Sequence, residues 1–290
     1  MKGIGLLGRF WPVWVKAAAF RRAGYENPDS YLQPLNIFQP RNQTSLDELL
    51  EKSARAREEL WESLGNLDPN VLSQLQSSAL MGAPKWPAVR QAFRLVKRAN
   101  GNILIASDGL SDPFDDITLG EGNVNGFGLE FFIETPADEL PSGLEDIKAS
   151  WQFQLLYTVS QLAAGHGGIR AIMDDMKLLS TEAEGMAEAV PTTHQATHVN
   201  TQQRVGALLG LKTMLTSLDG NPGSSSVPEK IPRMPLTEVK LVNIKLLDLE
   251  ELKIITDSGA AGRKRLSDLF TGHDRLVSSL QRPSVVAMSM

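Results

Sequence analysis

The run Val239 to Leu247 passes without a break into Asp248, with Glu251 three residues further on. A strand of this strength, delivered straight into an Asp-x-x-Glu capping box, commits the chain to a sheet accompanied by helices. Two further segments repeat the theme. Asn100-Gly101 separates Phe93, Leu95 and Val96 from Ile103-Leu104-Ile105, a hairpin cue. Phe127, Leu129, Phe131 and Ile133 alternate with Gly128, Glu130, Phe132 and Glu134, the period of two of a strand whose second face is partly apolar. Val205 to Leu211 reads as a buried strand, and Asp219 to Pro235 as a Gly, Ser and Pro loop.

Helices are expected between these strands. Ser45 and Glu48 form a capping box before Leu46, Leu49, Leu50, Leu60, Trp61 and Leu64. Asp68-Pro69 is a second helix start, carrying Val71, Leu72 and Leu75, so the first 80 residues read as mainly helical behind an irregular arm over residues 1 to 43. Ser150 caps a helix bearing Trp151, Leu155, Val159 and Leu162 that ends near Gly165. Shorter helices are expected over Ile169 to Leu179 and Arg263 to Phe270. Without a regular βαβ beat, the fold class is α+β. Residues 1–80 are expected to form an arm with a helical extension, and 81–290 an α+β domain.

The totals exclude several functions. The net charge is −5, with 29 Lys and Arg against 34 Asp and Glu, which disfavours nucleic acid as a partner. Arg263-Lys264-Arg265 is a solvated helix face. There is no cysteine, so no disulfide, thiolate metal site or cysteine nucleophile. The apolar stretch from Ile4 to Val15 is interrupted by Arg9 and Pro12 and followed by Lys16, which argues against a membrane span and for a cytoplasmic location.

Three constellations invite chemistry, and each has an architectural alternative. His194-Gln195-Ala196-Thr197-His198 has the spacing of a zinc pair, but Gln195 stands where a metalloprotease needs its glutamate, and Val190-Pro191-Thr192-Thr193 disfavours a helix. These are expected to be loop histidines. Asp108, Asp112, Asp115, Asp116 and Glu121 could hold Mg²⁺ or Ca²⁺, although the spacing lacks the calcium-loop pattern. Asn123-Val124-Asn125-Gly126-Phe127-Gly128 precedes a strand, so it lacks the helix that a phosphate cradle requires. No GxSxG elbow is present. Neither a catalytic residue, a metal nor a cofactor is expected.

Three ordered blocks carry a resemblance: Trp86-Pro87, then Gly109-Leu110-Ser111-Asp112 with Pro113 and Phe114, then Gly126-Phe127-Gly128-Leu129-Glu130. Together they resemble the suppressor-of-fused family, including its bacterial members, over about residues 84 to 272. The resemblance implies a mixed, largely antiparallel sheet with flanking helices, and a non-enzymatic protein that binds another protein. Animal members sequester a transcription factor in a two-domain clamp, and this chain resembles one of the two domains. Bacterial members are proposed to be immunity proteins that neutralise toxins. On that basis Asp112, Phe114, Asp115 and Asp116 are expected at a partner surface. Trp86, Pro87, Gly109, Leu110, Ser111, Gly126, Phe127, Gly128 and Glu130 are expected to be architectural. A metal-dependent hydrolase using residues 108 to 121, or an assembly protein, are the alternatives.

Overall fold

Apolar residues of strand period are buried on both sides in this chain, so helices cover both faces of one sheet. The computed structural model describes residues 43–73, 84–88, 90–114, 124–212, 227–271 and 275–287. In chain order, helix α1 (Gln43–Leu64) leads to the short strands β1 (Asn66–Leu67) and β2 (Leu72–Ser73) and the hairpin β3 (Ala92–Lys97) and β4 (Asn102–Asp108). Then come β5 (Leu129–Pro136), α2 (Leu144–Ala149), α3 (Trp151–Gly165), α4 (Arg170–Met176) and β6 (Leu179–Ala183). The remainder is α5 (Thr192–His198), β7 (Val205–Leu209), β8 (Lys230–Ile231), β9 (Val239–Leu246), α6 (Leu249–Ser258) and α7 (Ala260–Leu269).

The strands form one mixed sheet in the order β1-β3-β4-β5-β9-β7-β6, with β2 also on β3 and β8 also on β9. Pairing is antiparallel except between β5 and β9, where Leu129 aligns with Lys240 and Phe132 with Asn243. The fold is α+β with a largely antiparallel sheet, as the sequence indicates. Beyond that parallel stretch, the segment from Arg275 connects the two strands. Ser278 N–H donates to the Glu134 carbonyl at 2.7 Å, and Leu246 N–H donates to Ser278 Oγ at 2.9 Å. Asn243 Nδ2 donates to the Leu276 carbonyl at 3.1 Å.

One core joins Phe93, Ile105, Phe131, Ile133 and Ile244 to Trp151, Phe153, Leu155 and Val159 of α3. The other joins Val96, Leu104, Ala106, Phe132 and Leu208 to Leu60, Trp61 and Leu64 of α1, with Leu252, Ile255 and Leu266 of α6 and α7. This double cover explains why β5 is buried from Leu129 to Thr135, including Glu130 and Glu134. Residues 44–290 form one compact unit, with α1 built into its core.

Local chemistry succeeds where it is strong. Ser150 Oγ accepts from Phe153 N–H at the start of α3, and the Asp248–Glu251 capping box is complete at α6. Four expectations need correction. The first helix begins at Gln43, ahead of Ser45. The segment after Asp68-Pro69 is not helical through Ser73: Asp68 Oδ1 accepts from the Asn70 amide at 2.9 Å, closing a turn, and Leu72 pairs with Phe93 in the sheet. The helix expected over Ile169 to Leu179 ends at Met176, where Lys177 adopts φ +63°, and Leu179 begins a strand on β7. The histidine pair lies on a helix, α5, because Gln195 Nε2 satisfies the Ala187 and Val190 carbonyls and pins the segment. Leu75, residues 1–42 of the arm and residues 219–226 of the loop lie outside the described residues, and the rest of that loop includes strand β8 at Lys230–Ile231. None of the described helices is long and apolar enough to cross a membrane.

Candidate functional site

Helix α1 buries a stripe of three residues at four-residue spacing, Ser53, Arg57 and Trp61, each fully inaccessible to solvent. A guanidinium in that position demands partners, since an unpaired buried charge is costly. It finds them in the turn that leaves β4. Arg57 Nε lies 2.5 Å from Asp108 Oδ1, Nη2 lies 2.5 Å from Asp112 Oδ1, and Nη1 donates to Ser111 Oγ at 3.2 Å. Arg90 closes the cluster from outside, with its side chain 42% exposed and Nη2 2.9 Å from Asp108 Oδ1.

Behind the turn, Glu130 of β5 is fully buried and accepts four hydrogen bonds. The Gly109 and Ser111 amides donate to Oε1 at 3.0 and 2.9 Å, the Ser111 hydroxyl to Oε1 at 2.7 Å, and the Ser107 hydroxyl to Oε2 at 2.5 Å. Ser107 Oγ in turn accepts from Phe131 N–H at 2.9 Å. Asn125 serves the same turn from the other side. Its Nδ2 donates to Ser53 Oγ and to the Ser111 carbonyl, and its Oδ1 accepts the Leu236 and Thr237 amides.

The three sequence blocks meet here. A β-carbon on Gly126, where φ is +46°, would come within 2.4 Å of the Leu110 carbonyl, 2.6 Å of the Asp112 carbonyl and 2.7 Å of the Pro87 ring. One on Gly109 would meet the Arg90 carbonyl at 2.6 Å and the Trp86 ring at 3.2 Å. Phe127 N–H donates to the Leu110 carbonyl at 2.8 Å. The three blocks that carry the resemblance are therefore in contact with one another.

Electrostatics follow from burial. Desolvation on its own would lower the Arg57 value, but Asp108, Asp112 and Glu130 outweigh it and hold the guanidinium firmly charged, above the ordinary arginine range. Burial pushes the Glu130 carboxyl above its ordinary 4.5, opposed by Arg57 and the serine hydroxyls and reinforced by Asp108. Because the folded value exceeds the unfolded one, protonation favours folding. This group's stabilising share is present at low pH and is lost as pH rises through the folded value. Chemical denaturation across a pH series should show that Glu130→Gln removes this downward slope with rising pH. An unchanged slope would refute the assignment.

Asp112 and Phe114, expected at a partner surface, are 3% and 7% exposed. Asp112 holds Arg57, and Phe114 packs edge-on to Phe127 with ring centroids 5.7 Å apart. Asp115, Asp116 and Glu121 lie outside the described residues. Asp108 and Asp112, the described members of the acidic cluster, already face cations of the chain. Among the described residues, no group of three or more His, Asp or Glu is arranged to hold a metal ion. His198 is 1% exposed, and its ring nitrogens lie 3.1 Å from the Leu247 carbonyl and 3.3 Å from that of Leu280, so the backbone occupies both.

Arg57, Arg90 and Ser53 escaped the sequence reading, and Asn125 entered it only within the glycine-rich run 123–128. One signal for Arg57 was present. It lies four residues before Trp61 and seven before Leu64, a charge on the apolar face of an amphipathic helix.

Fold and site define an α+β protein in which a helix on one face of a mixed sheet inserts an arginine against the turn that leaves β4, an interior strand. No family model matches the chain, and no curated protein does. Among solved structures, the Sufu-Fu complex crystal structure is similar, with a TM-score of 0.48 and 14% identity over 82% of this chain and 93% of that one. A likeness of that degree leaves function to be read from the chain's own residues.

Proposed function

We propose that this chain is a non-enzymatic protein-binding module of the immunity type, and that the buried turn 109–112 supports a docking surface for a toxin-like protein partner. The observation that carries this reading is the state of the turn's carboxylates. Asp108 and Asp112 are committed to Arg57 and Arg90, and Glu130 to backbone amides and hydroxyls, so the acids build a rigid support instead of offering a base or metal ligands. Binding gains from surfaces ordered in advance, because less entropy is lost on association. In this reading Asp112 and Phe114 anchor the surface from beneath, and Asp115 and Asp116 meet the partner. The mild acidity suits a basic partner, through faster electrostatic encounter.

The test is co-expression with the products of neighbouring genes, followed by affinity measurement on the purified pair. Asp115→Lys with Asp116→Lys should weaken binding by about tenfold or more, since reversed charges repel a basic partner. A pair that binds equally well with both charges reversed, or a chain that captures none of its neighbours' products, would end the proposal.

A further inference from the structure

We infer that Arg57 is a positioning residue through which helix α1 holds the turn 109–112 in one shape, an inference that builds on the supporting role just given to that turn. Two stretches of α1 are held by different forces. Leu60, Trp61 and Leu64 pack into the core with Val96, Leu104 and Ala106, a contact insensitive to charge. Nearer its start the helix is held by polar groups, Ser53 Oγ accepting from Asn125 Nδ2 at 3.0 Å and Arg57 spanning Asp108, Ser111 and Asp112. Every one of those partners belongs to the turn or grips it.

The turn depends on this charge. Glu130 grips the amides of Gly109 and Ser111, while Asn125 grips the Ser111 carbonyl. With Asp108 and Asp112 alongside Glu130, three carboxylates converge on four residues of backbone, and Arg57 is the buried cation among them. Arg90, 42% exposed, is screened by solvent and reaches Asp112 only at 3.7 Å. Without the Arg57 fork, repulsion falls on the turn alone, since the apolar end of α1 keeps the helix on the sheet. A lysine keeps the charge, but its three donors sit on one nitrogen and lack the planar fork that reaches Asp108, Ser111 and Asp112 at once. The guanidinium geometry, as well as its charge, sets the turn.

Hydrogen exchange on the full chain tests this without any partner. Arg57→Lys should raise exchange at the Gly109, Ser111 and Phe127 amides by about tenfold or more while the amides pairing β5 with β9 stay at wild-type rates. Leu252→Ala, which truncates a side chain of α6 packed against Gly206 of β7, controls for general loosening. Wild-type exchange at those three amides in Arg57→Lys, or a rise shared equally with β9 as in the Leu252→Ala control, would overturn the inference. Because no binding is measured, failure of the docking proposal leaves this result readable, and an unmoved turn removes the positioning role while leaving docking to be judged by the Asp115 and Asp116 reversal.

Discussion

Arg57→Met should lower stability by about 3–5 kcal/mol, measured as a fall in the denaturant midpoint at constant slope. The substitution keeps much of the side chain's bulk, so the loss is electrostatic. It leaves Asp108 and Asp112, 5% and 3% exposed, beside a buried Glu130 with only a half-exposed arginine for relief. Adding Asp112→Asn to the same chain should recover part of the loss, because one of the stranded charges is then gone. A single-variant loss under about 1 kcal/mol would mean that the cluster is solvated, contrary to its burial.

Trp61→Ala is expected to cost about 3–5 kcal/mol, for a different reason. Trp61 is fully buried between α1 and the β3–β4 hairpin face, where removal of the indole leaves a cavity that neither a helix nor a sheet can close. Its Nε1 has no hydrogen-bond partner among the described residues, so Trp61→Phe should lose much less, keeping most of the apolar area and discarding an unsatisfied donor. Near-equal losses for alanine and phenylalanine would show that the ring is not packed as described. The measurement also weighs the contribution of α1, which sequence resemblance alone places outside the recognisable domain.

What could be read in the sequence was what local chemistry writes. The Ser150 cap, the Asp248–Glu251 box and the Asn100-Gly101 hairpin all rest on interactions within four residues, and the structure repeats them. β6 and β8 were not legible. Leu179-Ser180-Thr181-Glu182-Ala183 is too polar to announce a strand, and Lys230-Ile231 is two residues long; each exists because a neighbouring strand offers a ladder. The motif blocks were visible as a set, but their purpose was not. Asp108 and Asp112 looked like metal ligands or turn formers because the buried cation they serve lies more than fifty residues earlier, on a helix read for its cap and its apolar face.

The parallel pairing of β5 with β9 has a consequence during synthesis. Phe131 and Phe132 emerge from the ribosome roughly a hundred residues before Val242 and Asn243, their neighbours across the sheet, so ring closure between the two strands is slow and late. Until β9 and the Arg275–Leu280 stretch arrive, the nascent chain carries a bare apolar edge of the kind that chaperones retain and that other chains can extend. Translation halted anywhere between Pro136 and Val239 therefore yields a sticky fragment, and β5 is covered only once the chain has been made past Asn243.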